Sequence, residues 1–208
     1  MVLLKLAGYG FIRYSINILG EGSIYYIPLV YGISIISIIY SSLTTLRQID
    51  MKKIIAYSSI SHMGIVLLGI FSNTIEGLEG SMILMIGHGL VSPGLFIIVT
   101  IVYERYHSRI IKYYRGMVSR SPILSIVFLI FSLANMGVPL TSNFVGELLC
   151  LMGAMQTNPI LTIIATLGII IGASYSIWFY NRIIFGARSV YLSSEPNTDI
   201  DRREWELL

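Results

Sequence analysis

Long apolar stretches separated by short polar connections dominate the chain. Those long enough to cross a bilayer, about 20 residues each, lie at residues 2–19, 24–46, 54–72, 80–103, 123–152 and 159–185. Polar and apolar residues do not alternate within them, as they would in the strands of a membrane barrel. The pattern therefore predicts an all-α polytopic transmembrane helix bundle of about six spans.

Proline marks where some of these helices begin and break. Ser121-Pro122 and Asn158-Pro159 have the form of an N-cap followed by proline at the first helical position. Within the fifth stretch, residues 135–139 (NMGVP) interrupt the helix, because proline lacks an amide donor and clashes with the preceding turn. We predict a broken helix near Pro139, a device with which many transporters build ion sites.

Composition supports the membrane assignment. Of the 208 residues, 55% are hydrophobic and 12% are charged, whereas about 25% of a soluble domain is charged. Isoleucine is the commonest residue, as in products of A+T-rich genes such as mitochondrial ones. The single cysteine, Cys150, offers neither a disulfide partner nor a metal cluster. We expect lipids and membrane proteins as partners, and no nucleic acid.

Basic residues gather in three regions that the six spans place on one side of the membrane. They lie between the second and third spans, between the fourth and fifth, and at or after the end of the sixth: Arg47, Lys52, Lys53, Arg105, Arg109, Lys112, Arg115, Arg120, Arg182, Arg188, Arg202 and Arg203. The positive-inside rule assigns this side to the matrix or cytoplasm. We therefore expect a transmembrane domain at residues 1–186 and a polar tail at 187–208 on the basic side.

Four ionisable side chains, Lys5, His62, His88 and Glu147, each lie in a different apolar stretch. A charge at the centre of a membrane helix costs about 3 kcal/mol on insertion scales, so such residues usually face a wet cavity and often mark a proton path. The alternative is structural. The histidines would then hydrogen-bond neighbouring helices, and Lys5 would extend to the interface.

Further polar residues could support such a path. Ser58 and Ser61 share a helical face with His62, because they stand at i, i+3 and i+4. Tyr9 lies one turn after Lys5, and Arg13 lies a further turn along the same stretch with no acidic residue in its own helix. Such an arginine needs a carboxylate, a carbonyl or water.

Five segments of the chain together resemble a known family. In order they are LLKLAGYGFIR (3–13), RQIDMKKIIAYSSISHMG (47–64), MIGHGL (85–90), YERYHSR (103–109) and GVPLTSNFVGE (137–147), with a weaker echo in DIDRRE (199–204). They resemble the chain 4 antiporter-like membrane subunits of respiratory NADH dehydrogenase, complex I. More distant relatives are the large subunits of sodium/proton antiporters and of membrane-bound hydrogenases.

The resemblance implies a fold of about fourteen helices with two inverted five-helix repeats, of which this chain carries the C-terminal portion. It implies that Lys5 is the central lysine of the family's proton path, that Glu147 is its terminal carboxylate, and that His62 and His88 lie between them. Proton transfer is then expected from Lys5 through His62 and His88 to Glu147. A separate polypeptide would supply the missing N-terminal helices, and other membrane-arm subunits would be partners.

The implied function is proton translocation coupled to NADH:ubiquinone oxidoreduction in the mitochondrial inner membrane, or in a bacterial plasma membrane. No redox chemistry is expected within this chain, because NADH, FMN, iron-sulfur clusters and ubiquinone would be used by other subunits. Two alternatives stay open. The chain could be a structural membrane-arm fragment without its own proton transfer, or a component of a sodium/proton antiporter.

Overall fold

The computed structural model of the chain describes residues 2–187, 189 and 199–208. In chain order its helices are α1 (Val2–Gly10), a π-helical segment (Phe11–Ser15), α2 (Ile16–Ile18), α3 (Gly20–Arg47), α4 (Met51–Ile70), α5 (Ile75–Tyr106), α6 (Pro122–Asn135), α7 (Ser142–Thr157), α8 (Pro159–Ile184) and α9 (Arg202–Leu207). Two short 3₁₀ turns, Ile111–Tyr113 and Met117–Ser119, lie between α5 and α6.

The predicted all-α membrane bundle is confirmed. Within the described residues, α3, α4, α5 and α8 are each long and apolar enough to cross a membrane, and α6 is a shorter apolar helix. The other two predicted spans consist of shorter pieces. The first is formed by α1, the π-helical segment and α2, and the fifth is divided between α6 and α7.

The break between α6 and α7 falls where the sequence predicts it. Helix α6 ends at Asn135 and α7 begins at Ser142, with Pro139 between them. Gly137 and Leu140 have positive φ angles of 71° and 86°, and this conformation disfavours any residue with a Cβ atom. The Thr141 side chain accepts a hydrogen bond from the Phe144 amide and so caps α7.

The connections that carry the predicted basic residues meet at one end of the bundle. The Met51 amide, at the start of α4, donates to the Arg109 carbonyl, and the Ile111 amide donates to the Ile49 carbonyl. The Gly116 amide in turn donates to the carbonyl of Phe185, just beyond α8. This end of the bundle, called the basic end below, therefore joins the loops before α4 and α6 to the end of α8.

The predicted polar tail is described only at residues 187, 189 and 199–208, so Arg188 and residues 190–198 lie outside the described part. Residues 199–208 pack at the basic end. Asp199 accepts hydrogen bonds from the amides of Ile123 and Leu124, in the first turn of α6. Glu204, in α9, forms a salt bridge of 2.6 Å with Arg105.

Candidate functional site

The four ionisable residues lie in one row across the interior of the bundle. Lys5 Nζ is 2.7 Å from His88 Nδ1, and His62 Nδ1 is 2.9 Å from Glu147 Oε1. The two imidazole rings have their centroids 5.1 Å apart and link the two pairs. Both histidines and Glu147 are buried, whereas Lys5 is half-buried. Helices α1, α5, α4 and α7 thus contribute one member each.

The order of contacts differs from the expected order. The resemblance implied Lys5, His62, His88 and then Glu147, but the row runs Lys5, His88, His62, Glu147. Helices α1 and α7 each pack against both α4 and α5, so helix packing alone allows either histidine next to Lys5. The side-chain contacts decide the order, with Lys5 next to His88 and Glu147 next to His62.

The hydrogen bonds give the row a direction when Lys5 is protonated and Glu147 is ionised. A charged ammonium is only a donor, so His88 Nδ1 accepts from Lys5 and the His88 proton resides on Nε2. A carboxylate is only an acceptor, so His62 Nδ1 donates to Glu147 and His62 Nε2 is free to accept. Neither Nε2 atom has another hydrogen-bond partner among the described residues. One Nε2 donor and one Nε2 acceptor are therefore left without a partner among the described residues.

Close helix packing fixes Glu147 and His88. A Cβ added to Gly137 in the break would lie 2.7 Å from Glu147 Oε2, so the turn between α6 and α7 packs directly on the carboxylate. Asn143 donates to the Ala134 carbonyl, at the C-terminal end of α6. Its Oδ1 approaches Gly87, where an added Cβ would lie only 2.6 Å away, one residue before His88. The break therefore positions Glu147 at one end of the row and contacts α5, the helix that carries His88.

The supporting residues predicted from the sequence divide into two groups. Ser58 and Ser61 are buried on the same helix as His62, and Ser58 also hydrogen-bonds the Tyr175 side chain of α8. Tyr9 and Arg13 are exposed on the outside of this chain. Neither side chain has a hydrogen-bond partner among the described residues. The structure thus brings the serines to the row and leaves Tyr9 and Arg13 away from it.

Three further polar residues near the row were missed in the sequence. Asn135 and Asn143 are buried on either side of the break, and each has an Oδ1 atom without a hydrogen-bond partner within the described part of the chain. Tyr175 is buried beside Glu147 and lines the same small cavity. The two asparagines could have been singled out from the sequence, because amide side chains inside an apolar stretch need hydrogen-bond partners, as ionisable side chains do.

The four side chains of the row are of types that can exchange protons. Among the described residues, no group of three or more His, Cys, Asp or Glu is placed to hold a metal ion. Lysine, imidazole and carboxylate groups at hydrogen-bonding distances can instead pass protons, directly or through water.

Comparison with protein families is consistent with this chemistry. A family model described as NADH:quinone oxidoreductase/Mrp antiporter, TM, matches residues 1–172. The chain is 52% identical over 208 residues to NADH-ubiquinone oxidoreductase chain 4 of Chondrus crispus, and covers 42% of that protein. It is also 52% identical over 208 residues to the chain 4 protein of Mycosarcoma maydis, of which it covers 43%. The chain therefore spans about two fifths of these relatives.

Solved structures show the same fold. A chain of respiratory complex I from Thermus thermophilus superposes with a TM-score of 0.90 at 32% sequence identity, over 98% of this chain and 42% of the other. A chain of the Mrp complex from Dietzia sp. superposes with a TM-score of 0.83 at 21% identity, over 89% of this chain and 35% of the other. The second similarity concerns the fold alone.

Proposed function

Because the chain belongs to the membrane-subunit family shared by NADH:quinone oxidoreductase and Mrp antiporters, we propose that it is the C-terminal part of a chain 4 subunit of mitochondrial complex I and takes part in proton translocation. The observation that carries this proposal is the buried row of Lys5, His88, His62 and Glu147. The 52% identity to chain 4 proteins supports the choice of complex I over an antiporter complex.

The proposed proton transfer follows the polarity of the hydrogen bonds. Lys5 gives a proton to His88 Nδ1, and His88 releases the proton on its Nε2. His62 accepts at Nε2 and releases the proton on its Nδ1 to Glu147. Each imidazole thus gains one proton and loses one. The row returns to its initial state when Glu147 releases the proton it has accepted, both rings recover their starting tautomers and Lys5 is reprotonated. The leftover donor and acceptor Nε2 atoms make the step between the rings suitable for a bridging water.

Because the row is buried, the protonation of each group depends on the charge of its neighbours. A charge in a low-dielectric interior needs a partner, and each proton shift in this row changes the charge of two neighbours at once. Movements of nearby helices that alter one contact would therefore change the protonation of the next group. Coupling to NADH oxidation and ubiquinone reduction, with NADH, FMN, iron-sulfur clusters and ubiquinone held in other subunits of the inner-membrane complex, is part of this proposal.

A separate polypeptide would supply the N-terminal helices. The helical segment of residues 2–18 exposes apolar side chains, such as Leu3 and Leu6, together with Arg13. In a membrane, an arginine in this position needs a polar neighbour. Mass spectrometry of the intact native complex should detect a companion chain that matches the remaining part of the family. A continuous polypeptide containing this sequence in its C-terminal part would refute the separate chain.

The proton function is tested with Glu147→Gln in the assembled complex. Glutamine keeps the shape and can still hydrogen-bond His62, but it does not titrate, so proton pumping coupled to NADH oxidation should fall several-fold while assembly is preserved. Glu79→Gln is the control, because Glu79 is exposed in the first turns of α5. Unchanged pumping by an assembled Glu147→Gln complex would favour the alternative, in which the chain is a structural part of the membrane arm without its own proton transfer. Transport that requires a sodium gradient would instead favour the antiporter.

A further inference from the structure

An open groove of about 310 Å³ lies on the outer face of the bundle, between α6 and α8. Its lining is mainly apolar, and Leu129, Ile177 and Phe185 are exposed in it. From Ser176 to Phe185 the groove follows the end of α8 for about 14 Å. That length is close to half of the hydrocarbon core of a bilayer, which is about 30 Å thick. The apolar groove therefore has the length of one membrane leaflet.

At the basic end the apolar groove continues into a second open groove, which is bordered by two arginines. This basic groove, of about 390 Å³, shares Phe185 with the apolar groove and is lined by Arg115 and Arg182. The fold brings the two arginines to one place. The Gly116 amide donates to the Phe185 carbonyl, and a Cβ added to Gly186 would lie 3.9 Å from the Cβ of Arg115. The loop before α6 is thus attached to the end of α8, where Arg182 occupies the last turn.

The basic groove has the chemistry of a site for a phosphate group. Arg115 and Arg182 are exposed, and neither forms a salt bridge or a side-chain hydrogen bond with another described residue. No described acidic residue lines either groove. A guanidinium group binds phosphate oxygens in a bidentate manner.

Two further side chains of the basic groove suit the membrane interface. Trp178 stands four residues before Arg182, on the same face of α8, and tryptophan is enriched at the level of lipid headgroups. Asn181 lines both grooves and offers an amide donor where they meet. Charge, hydrogen-bond donors and an interfacial aromatic ring thus lie at one end, and apolar side chains lie at the other.

We propose that the two grooves together bind an anionic phospholipid of the matrix leaflet, with its phosphate on Arg115 and Arg182 and one acyl chain between α6 and α8. The basic groove lies on the side that the positive-inside rule assigns to the matrix, where headgroups of that leaflet are found. A free phosphate would leave the apolar groove uncovered. A helix of another protein would leave both arginines unpaired unless it placed acidic residues beside them. The inference does not depend on the proton function proposed above.

Photo-crosslinking in the assembled complex tests the site. The complex is reconstituted into bilayers that contain a small fraction of phosphatidylglycerol with a photoreactive diazirine at the end of one acyl chain. A parallel sample contains phosphatidylcholine with the same diazirine. Both lipids carry a phosphate, but only phosphatidylglycerol has a net negative charge. Peptide mass mapping of this chain should find adducts near the inner end of the apolar groove, around Met136 or Ile177. Phosphatidylglycerol should give several-fold more of these adducts than phosphatidylcholine.

Replacing both arginines should remove this preference. Each basic residue near a membrane surface strengthens the binding of an anionic lipid roughly fivefold. In the double variant Arg115→Gln, Arg182→Gln, labelling by phosphatidylglycerol should therefore fall to the level of phosphatidylcholine. The matched control is Lys52→Gln with Lys112→Gln, which removes two exposed positive charges of the basic end that line neither groove. The control should keep the preference of the parent complex.

Three results would overturn the proposal. Absence of adducts along the apolar groove would show that a protein segment covers it. Equal labelling of the parent complex by the two lipids, a comparison that needs no variant, would refute an anionic site, as would an unchanged preference in the double arginine variant. Displacement of the probe by inorganic phosphate as well as by excess unlabelled phosphatidylglycerol would indicate a free phosphate as the ligand. Normal pumping by a Glu147→Gln complex would refute the proton function and leave the lipid site untouched.

Discussion

Gly137 and Glu147 are in contact across the break between α6 and α7. A Cβ atom built on Gly137 would lie 2.7 Å from Glu147 Oε2, and the φ angle of Gly137 is 71°. The residue that allows the chain to turn inside the bundle is therefore also the residue that leaves room for the buried carboxylate. We therefore expect a change in the turn to displace the carboxylate.

Gly137→Ala should disturb both the turn in the chain and the space occupied by the Glu147 carboxylate. The methyl group meets the carboxylate, and a left-handed conformation costs about 1–2 kcal/mol for a residue with a Cβ atom. We expect lower thermal stability of the complex and at least a several-fold loss of pumping. Gly32→Ala is the matched control, because nothing lies within 4 Å of the added Cβ in α3. Equal stability and pumping in the two variants would show that the contact with Glu147 is unimportant.

His62→Asn separates hydrogen bonding from proton transfer. The asparagine amide can still donate to Glu147 from near the position of Nδ1, but it cannot accept a proton on one nitrogen and release one from the other. Loss of one proton-transfer group typically reduces a rate by about 10²–10⁴, so we expect at least a tenfold decrease in pumping through this subunit in an assembled complex. His107→Asn is the control. This histidine is exposed in the loop after α5, at a φ of 52° that asparagine tolerates. Equal pumping by the two variants would remove His62 from the path.

Tyr114 holds the loop at the basic end and lies outside the membrane-spanning segments. Its hydroxyl donates to the Ser108 carbonyl at 2.6 Å, and burial raises the pKa of Tyr114 from 10.0 to about 12. The neutral phenol is therefore favoured in the folded loop. Its contribution to stability is complete below pH 10 and is lost as the pH rises through about 12.

Tyr114→Phe should accordingly loosen this loop by about 1 kcal/mol, the usual net value of one hydrogen bond. That corresponds to roughly fivefold faster trypsin cleavage at Lys112 or Arg115 in inside-out membrane particles. The ratio of the variant's cleavage rate to that of the parent should stay constant between pH 7 and 9. Val118→Ala, a change at an exposed position of the same loop, should leave the rate unchanged. A ratio near one, or one that disappears below pH 9, would contradict this account.

The sequence predicts helices and their ends better than their internal details. The Ser121-Pro122 and Asn158-Pro159 pairs do begin α6 and α8, and the break does surround Pro139. These features depend on local chemistry. Proline lacks an amide at all three places, and at α8 the Asn158 side chain also accepts from the Leu161 amide. Two other features were not predicted from local sequence: the π-helical segment Phe11–Ser15, and the start of α3 at Gly20, four residues earlier than expected.

The order of the row could not be obtained from the sequence. Position along an apolar stretch gives the depth of a residue in the membrane, and by depth alone His62 and His88 are equivalent. Which one contacts Lys5 depends on how α1 crosses α4 and α5, and that crossing is fixed by packing between distant residues. One such contact joins Gly8 to Met85, where an added Cβ would meet the sulfur. Tyr175 was missed for the same reason, since its role depends on α8 lying beside Glu147.

Lys5→Arg tests the first member of the row. Arginine keeps the positive charge and could serve equally well as an interfacial anchor, but its guanidinium does not deprotonate in proteins. If Lys5 donates a proton to His88 across their 2.7 Å contact, the variant should lose most of the pumping through this subunit while the complex still assembles.

Lys52→Arg provides the matched control for this change. Lys52 is exposed at the start of α4, where either cation suits the basic end, so pumping should stay normal. The two variants make the same chemical change at a half-buried and an exposed position. A difference between them therefore reports on deprotonation inside the bundle and not on the loss of a lysine. Normal pumping by Lys5→Arg would assign Lys5 a structural role, and the proposed path would then begin at His88.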